Sequence, residues 1–566
     1  MMPLKQGLIP IFVLTLTFLS KFSQLLGAVV STADVLLDLE KGQTLRGIKV
    51  AYSNGDHINK FYGIPYALPP TGDRRFEPPS PALPWSGVRN AKTEGNICPQ
   101  NPSQQMSQNR SEDCLNLSVF SPNLNGSLPV FVWIHGGGFR DGFGSSDVYL
   151  ISRKGMVSVA INYRLAPFGF LSTGDDVMPG NYGMLDQVLA LKWVQKHIRA
   201  FGGDPSRVTI AGNSAGGHSV DFHILSPLSR GLFHRAIMES GTSFCSSAME
   251  RPGKTVKVKD FTLTVAASVG CTDTHSTALL RCLKSANADQ LLLASVNAEK
   301  SFAITFIAIP RVETKFGFLP DYPKNLFSSG QYNKVDTLRG YNSGEWAFAI
   351  HDTDNNGITR HEFTQYFAAF FKKSAFVNDD AINQLVEDAY LGNKTDPISI
   401  RTSLVHALAD MTYGAASLYD LEKTLQTSGA TTRHFFYHFS YRGSNLTTAV
   451  WKGVAHAGEV PYVFSNAASV SATADDKRVG NMVQTMWTNF AKYGEPTPVR
   501  APDGTPLPQV TDGVHWDSFT RTNQKMFEIG LHPKMEALPR PFIVALYQKV
   551  LDLMHAQTVV QNVVVG

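Results

Sequence analysis

Short apolar runs alternate with segments of helical periodicity in the first half of the chain. The runs lie at residues 130–134, 157–161, 208–211 and 236–238. Short runs rich in Val and Ile are typical of strands that are buried on both faces of a parallel sheet. We therefore expect these four runs to be strands of one sheet.

The clearest helix lies between the second and third runs. Apolar residues recur there every three or four positions, at Met184, Val188, Leu191, Val194 and Ile198. Gly202 and Gly203 then end the pattern, as glycines commonly do at the end of a helix. Strands that alternate with helices predict an α/β fold, with a mostly parallel central sheet flanked by helices.

The composition is that of a large globular protein. The chain has 566 residues, of which 43% are hydrophobic and 17% charged, and its formal net charge is +4. A small net charge without a long Lys/Arg run argues against nucleic acid as a partner. No linker or repeat divides the chain, so we expect a single domain over residues 29–566.

The N-terminus has the pattern of a secretory signal peptide. Lys5 precedes the apolar residues 8–19, and the small residues Gly27 and Ala28 follow. The alternative is an uncleaved membrane anchor, but the run is shorter than the roughly 20 residues that cross a bilayer. We expect residues 1–28 to be removed and the protein to be secreted, without stable membrane insertion.

Two motifs suggest nucleophilic chemistry. Residues 212–216 read GNSAG, in which the flanking glycines permit a tight strand-to-helix turn that exposes the hydroxyl of Ser214. Alone this motif is weak evidence, because two glycines around a serine also occur in ordinary loops. The string HGGGF at residues 135–139, directly after an apolar run, strengthens it, because such a loop supplies N–H groups to an oxyanion.

Many segments in the same order resemble the type-B carboxylesterase and cholinesterase family of α/β-hydrolases. They are FYGIP at 61–65, GDRRF at 72–76, SEDCLNL at 111–117, NYRLAPFGF at 162–170, residues 181–198, GGDP at 202–205, the GNSAG motif, LFHRAIMESG at 232–241 and TNFAKYG at 488–494. The resemblance implies an α/β-hydrolase fold and a serine esterase that acts on small-molecule esters without a cofactor or metal.

A serine nucleophile needs a base and an acid that orients the base, and in this fold they follow in the order Ser, acid, His. Residues 340–345 (GYNSGE) resemble the family's acid motif, which implies Glu345 as the acid. The alternatives are that Glu345 is a solvated loop carboxylate and that Asp336 is the acid. Residues 453–462 (GVAHAGEVPY) resemble the family's histidine loop, which implies His456 as the base. His218, four residues after Ser214, stays open as a second histidine near the site.

The mechanism that follows is two-step acyl transfer. His456 takes the proton of Ser214 as its Oγ attacks an ester carbonyl, an acyl-enzyme forms, and water releases it. The backbone N–H groups of Gly137, Gly138 and Ala215 are the expected oxyanion donors.

Three positions depart from the cholinesterase pattern. Asn213 stands where most relatives have Glu, so a buried negative charge that attracts choline is expected to be missing. Residues 99–113 carry no aromatic residue for a quaternary ammonium group, and their polarity also argues against a lipase lid. Phe306 and Ala308 match the acyl-pocket segment, and Ala308 replaces an aromatic ring, so we expect a roomier acyl pocket.

The resemblance also implies the disulfide pairs Cys98 with Cys114 and Cys271 with Cys282, and it leaves Cys245 as a buried free thiol. Glycosylation sequons agree with passage through a secretory pathway. They lie at Asn109, Asn125, Asn393 and Asn445, and a doubtful one lies at Asn116, within an expected strand.

Two other functions remain open. A non-catalytic adhesion or binding protein could use the same scaffold, although the intact set of Ser214, Glu345 and His456 argues against it. Residues 352–362 resemble a calcium loop, but Glu362 falls at the eleventh position instead of the twelfth. A turn and a helix start capped by Thr359 is the interpretation we favour there.

Overall fold

A single twisted sheet forms the centre of the protein. The computed structural model describes residues 29–101, 109–251, 256–302, 307–373, 380–429, 431–464 and 472–564. Thirteen strands occur in these residues, and twelve of them follow the order β1-β2-β3-β5-β7-β6-β8-β9-β10-β11-β12-β13, with β4 paired to β2. Their bounds are β1 (Val29–Glu40), β2 (Gln43–Tyr52), β3 (His57–Pro65), β4 (Gly87–Asn90), β5 (Asn116–Ser121), β6 (Leu128–Ile134), β7 (Val157–Ile161), β8 (Gly203–Asn213), β9 (Arg235–Glu239), β10 (Asp336–Asn342), β11 (His434–Phe439), β12 (Lys525–Ile529) and β13 (Lys534–Ala537).

The middle of the sheet is parallel, and its margins are antiparallel except that β4 pairs with β2 in parallel. Parallel pairing joins seven consecutive strands to one another, namely β7, β6, β8, β9, β10, β11 and β12. The hairpins at either margin, such as β1 with β2 and β12 with β13, are antiparallel. The predicted α/β fold with a mostly parallel central sheet is therefore confirmed. The four apolar runs of the sequence fall in β6, β7, β8 and β9.

Two hydrophobic cores cover the two faces of the sheet, and β6 contributes to both. Its residues Val130, Val132 and Ile134 pack into one core, whereas the alternate residues Phe131 and Trp133 pack into the other. Successive side chains of a strand point to opposite faces, so a strand that lies between two cores must be apolar at every position. This is why the run at 130–134 is continuous and does not alternate.

Helices on both faces complete the fold. In the described residues they are α1 (Tyr149–Ser152), α2 (Ala166–Phe170), α3 (Tyr182–His197), α4 (Ala215–Leu225), α5 (Val258–Ser268), α6 (Ser276–Ser285), α7 (Ala288–Ser301), α8 (Pro323–Ser329), α9 (Arg360–Lys373), α10 (Asp380–Leu391), α11 (Pro397–Ala409), α12 (Ala415–Thr427), α13 (Val460–Val463), α14 (Ala474–Tyr493) and α15 (Ile543–Val564). The predicted helix at 184–198 corresponds to α3 and a following 3₁₀ turn, and all five residues of its apolar stripe are buried. A π-helical turn, Asp410–Gly414, joins α11 to α12.

The structure also bears on the cysteines and sequons. Disulfides join Cys98 to Cys114 and Cys271 to Cys282, and Cys245 is free and buried. The side chain of Asn116 donates to the backbone carbonyls of Asn96 and Cys114, so this sequon is not available to a glycan. The other sequon residues are exposed, namely Asn109, Asn125, Asn393 and Asn445.

The expected signal peptide, residues 1–28, lies outside the described residues. Among the helices that are described, none combines the length and apolar character needed to span a bilayer.

Helix α4 packs so closely on β6 that glycine is required at its start. A Cβ on Gly216 would clash with the carbonyl oxygen of Ile134. We expect Gly216→Ala to lower the free energy of unfolding by about 1–3 kcal/mol, because an added methyl forces strand and helix apart. Urea denaturation followed by fluorescence measures this difference. An unchanged unfolding midpoint would show that the two elements can separate at no cost.

Candidate active site

Ser214 lies at a sharp turn between β8 and α4. Its backbone has φ 58° and ψ −123°, a combination that residues with a side chain rarely adopt. The turn is held by a hydrogen bond from the Ser214 N–H to the carbonyl of Glu239 at 2.8 Å and by one from His218 N–H to the Ser214 carbonyl at 2.9 Å. A Cβ on Gly212 would meet the backbone of Gly216 at 2.5 Å. The flanking glycines therefore allow the turn that the motif predicts.

The glycine-rich loop after β6 runs alongside this serine. A Cβ on Gly136 would lie 2.5 Å from the carbonyl oxygen of Asn213 and 3.2 Å from the Cβ of Ser214. Gly137 and Gly138 have φ of 108° and 63°, in the left-handed region that favours glycine. Within the described residues, the N–H groups of Gly137, Gly138 and Ala215 donate to no other group. Three backbone donors beside a serine at a helix N-terminus can stabilise an anion.

Glu345 and His456 form the central pair of the site. Glu345 Oε2 accepts a hydrogen bond from His456 Nδ1 at 2.7 Å. The other carboxylate oxygen accepts from Ser240 Oγ at 2.7 Å and from the N–H of Asn342 at 3.0 Å. Glu345 has no solvent exposure. The resemblance named both residues, and the structure brings them together from loops that follow β10 and β11.

The alternative acid, Asp336, lies at the opposite end of β10. Its carboxylate accepts from the N–H of Arg433 at 2.9 Å and lies near the guanidinium groups of Arg433 and Arg235. Asp336 is thus a structural ion-pair residue, and the alternative interpretation of Glu345 as a solvated carboxylate is wrong.

The pKa of His456 is set by burial and by two neighbouring carboxylates. Burial by itself lowers the pKa of His456, but the charge and the hydrogen bond of Glu345 and the charge of Glu459 outweigh burial, so the pKa is raised above its ordinary value. Because Glu345 engages Nδ1, Nε2 is the ring nitrogen that remains for another partner.

Tyr413 stands next to both Nε2 and Ser214. Its hydroxyl lies 3.4 Å from His456 Nε2, and the Ser214 side chain contributes to the environment of the same hydroxyl. Tyr413 is therefore a neighbour that Ser214 and His456 share.

A network of buried polar groups lies next to Ser214, Glu345 and His456. Asn213 Nδ2 donates to Glu459 Oε1 at 2.6 Å, and Asn342 donates to the other oxygen of Glu459. Glu239 pairs with Asn213 in the sheet and accepts from Trp487 Nε1 at 2.7 Å. Burial, with repulsion by Glu345, raises the pKa of Glu459 to about 7, and burial with repulsion by Glu459 raises the pKa of Glu239 well above its ordinary value.

Asn213 lies among buried carboxyl groups. The sequence predicts that Asn in place of Glu removes one buried acid at this position. The structure instead has two buried carboxyl groups beside Asn213, and their raised pKa values reduce the negative charge that they carry near neutral pH.

The structure describes only some of the other residues expected at the site. Ala308 is buried, whereas Phe306 lies outside the described residues. Residues 102–108 of the loop between Cys98 and Cys114 also lie outside them. His218 is buried, stacks on Tyr413 and Phe139, and lies 3.4 Å from Ser247 Oγ through its Nε2.

The side chains of the segment that resembles a calcium loop form hydrogen bonds and an ion pair with other protein groups. Asp352 forms an ion pair with Arg401 and accepts from the N–H groups of Asn356 and Gly357. Glu362 and Thr359 exchange hydrogen bonds at the start of α9, which confirms the helix start capped by Thr359. In the part of the chain that is described, no cluster of three or more His, Cys, Asp or Glu residues is arranged to hold a metal ion.

Two contributors were missed in the sequence. Glu459 lies three residues after His456 in the histidine loop. This short spacing could have indicated that Glu459 lies near the site. Tyr413 gave no signal, because a tyrosine in an apolar helical stretch resembles an ordinary core residue.

Comparison with known proteins agrees with this geometry. The profile described as "Carboxylesterase family" matches residues 33–542. The chain belongs to the carboxylesterase family. A cholinesterase of Mus musculus is 33% identical over 552 residues, which cover 92% of this chain and 88% of the mouse protein. Membership identifies the protein as a carboxylic ester hydrolase.

The Glu345–His456 pair should control the pH dependence of this esterase. Glu345→Gln removes the charge that raises the pKa of His456, so the acid limb of kcat/KM should move to lower pH. Turnover should fall on the order of 10⁴-fold, because an amide favours the wrong imidazole tautomer. Initial rates from pH 5 to 9 measure both effects. Asp336→Asn is the matched control and should keep the parent profile; the reverse pattern would make Asp336 the acid.

Proposed function

We propose that the protein is a secreted serine esterase that hydrolyses small carboxylic esters through an acyl-enzyme on Ser214. The observation that carries the proposal is the 2.7 Å bond between Glu345 and His456 beside a strained, glycine-flanked serine. Each of the three side chains comes from a different loop at the same edge of the sheet. Such convergence is what nucleophilic catalysis by serine requires.

In the first half of the reaction, His456 Nε2 removes the proton from Ser214 Oγ while Oγ forms a bond to the ester carbonyl carbon. The carbonyl oxygen becomes an oxyanion, which accepts hydrogen bonds from the N–H groups of Gly137, Gly138 and Ala215. The tetrahedral intermediate collapses as His456 gives its proton to the leaving alcohol. The acyl group stays on Ser214.

In the second half, a water molecule replaces the alcohol. His456 takes a proton from this water as its oxygen attacks the acyl carbon, and the same N–H groups hold the second oxyanion. The proton then returns to Ser214 Oγ and the carboxylic acid leaves. The carboxylate of Glu345 stabilises the imidazolium that forms twice in each cycle.

The same proposal includes the processing of the chain. Residues 1–28 act as the signal peptide, and residues 29–566 form one esterase domain. Two disulfides and four exposed sequons support an extracellular destination, because disulfides persist in oxidising compartments. Asn109, Asn125, Asn393 and Asn445 are the proposed glycan attachment sites.

Neutral esters are the proposed substrates, and Asn213 carries that preference. Its side chain is engaged by Glu459, a carboxyl whose raised pKa limits its negative charge. Ala308 leaves more room for the acyl chain than an aromatic ring would, with Phe306 as the proposed neighbouring pocket residue.

Choline ester hydrolysis is the second candidate, because the mouse relative is named a cholinesterase. A neutral ester and its choline analogue with the same acyl group distinguish the two. We expect the neutral ester to have the higher kcat/KM, and a clear preference for the choline ester would favour the second candidate. A non-catalytic binding protein would instead fail to react with an organophosphate.

Removal of the proposed nucleophile is the direct test of function. Ser214→Ala should lower kcat on the order of 10⁶-fold, because no acyl-enzyme forms. Hydrolysis of p-nitrophenyl butyrate measures it. The matched control is Ser268→Ala, an exposed serine on α5, which should keep full activity. Equal activity of Ser214→Ala and the parent protein would refute the role of Ser214.

The proposed acyl pocket makes a second prediction. With Ala308 at the pocket, kcat/KM for p-nitrophenyl butyrate and hexanoate should equal or exceed that for acetate. Ala308→Phe should fill the space and lower the rate for hexanoate by about tenfold, while the rate for acetate is retained. A sharp preference of the parent enzyme for acetate would contradict the roomier pocket.

A further inference from the structure

The π-helical turn Asp410–Gly414 places one aromatic side chain against the base. π-turns are rare and frequently occur at functional sites. The first residue of this turn, Asp410, is fully buried. It accepts hydrogen bonds from Arg540 Nη2 at 2.8 Å and from the Tyr390 hydroxyl at 2.7 Å. Tyr413, three residues further along the turn, is only 2% exposed. Its position is therefore fixed by contacts remote from the catalytic residues.

The ring of Tyr413 lies flat against the imidazole of His456. The ring centroids are 4.8 Å apart and the planes differ by 4°. Because the planes are parallel, the hydroxyl oxygen at 3.4 Å from Nε2 stands over the face of the imidazole. The lone pair of Nε2 lies in the imidazole plane, so a contact over the ring face does not engage that lone pair. The contact is a stack, with the hydroxyl beside the Ser214 side chain.

Two further aromatic rings extend this group from Tyr413. His218 lies at 6.3 Å and 27° from the Tyr413 ring, and Phe139 lies at 6.3 Å and 30° from His218. Phe139 belongs to the glycine-rich loop, and His218 belongs to α4. A column of four rings thus connects the loop that carries the oxyanion donors with the base.

We propose that Tyr413 is a positioning residue for His456, whose stacked ring holds the imidazole plane between Glu345 and Ser214 and stabilises its protonated form. This inference rests on the proposed function. An aromatic face attracts a cation, so the stack favours the imidazolium that arises when Ser214 gives up its proton. A residue that lacked the ring would fill space without either effect.

Four groups face His456 and set its titration. Glu345 favours the protonated imidazole through its charge and hydrogen bond, Glu459 favours it when ionised, and Tyr413 favours it through its ring. His218 opposes it only when charged, and burial, with repulsion by His456, lowers the pKa of His218 to about 3, so it is neutral near pH 7. Loss of the ring should therefore move the acid limb of kcat/KM to lower pH, in the same direction as loss of the Glu345 charge.

The test compares Tyr413→Phe with Tyr413→Leu and Tyr413→Met in the full-length esterase. Phe keeps the ring, so kcat/KM should stay within about threefold of the parent and the acid limb should not move. Leu and Met remove the ring, so kcat should fall about three- to thirtyfold and the acid limb should move down by about half a pH unit. Two ringless variants are made because, if one of them fails to fold, the other still tests the role of the ring.

Two outcomes would overturn the proposal. One is a folded ringless variant with the parent turnover and acid limb. The other is a Phe variant as impaired as the ringless ones, which would assign the effect to the hydroxyl.

A second readout separates this inference from the proposed function. The far-downfield proton resonance of the bond from His456 Nδ1 to Glu345 reports imidazole protonation by NMR without any turnover. It should titrate at lower pH in the ringless variants than in the parent and Tyr413→Phe. The same titration in all four proteins would overturn the inference even if ester hydrolysis were established. If the resonance titrates at lower pH in the ringless variants but the parent protein hydrolyses no ester, only the proposed function is refuted.

Discussion

The site depends on a carboxylate that has been removed from water. Desolvation of a carboxylate costs several kcal/mol, so a buried Glu is stable only where hydrogen bonds replace the lost solvent. Glu345 has three such bonds, from Ser240, Asn342 and His456. The first two fix the carboxylate, and the third directs the imidazole. If any of the contributing strand ends were displaced, a buried charge would be left incompletely paired, so the fold and the site stabilise the same arrangement.

The parallel centre of the sheet is what brings these groups to one edge. Ser214 follows β8, Ser240 follows β9, Glu345 follows β10 and His456 lies beyond β11, and these four strands are consecutive in the sheet. The carboxyl ends of parallel strands lie together, so residues more than two hundred positions apart in sequence become neighbours. The antiparallel margins supply none of these four residues.

Periodicity and motifs predicted the parts of the structure that local chemistry determines. The continuous run at 130–134 requires burial on both faces, and the glycines around Ser214 are required by its backbone conformation. Glu345 and His456 were identified through family resemblance, because a carboxylate and an imidazole in loops give no local signal of their pairing. The role of Tyr413 was not predictable, since the π-turn that aims it is fixed by Asp410 and Arg540, which are 130 positions apart. The hydrogen bond between Asn213 and Glu459 was not predictable for a similar reason: the two residues meet only in the folded protein.

The central claim is that Ser214 carries the acyl group during turnover. The most direct measurement is an acid quench during steady-state hydrolysis of p-nitrophenyl butyrate, followed by mass spectrometry of the peptides. We expect the peptide containing Ser214 to gain the mass of one butyryl group, and we expect this gain to be lost when His456 is replaced by alanine. A butyryl group on another residue, or turnover with no acylated peptide at any quench time, would contradict it.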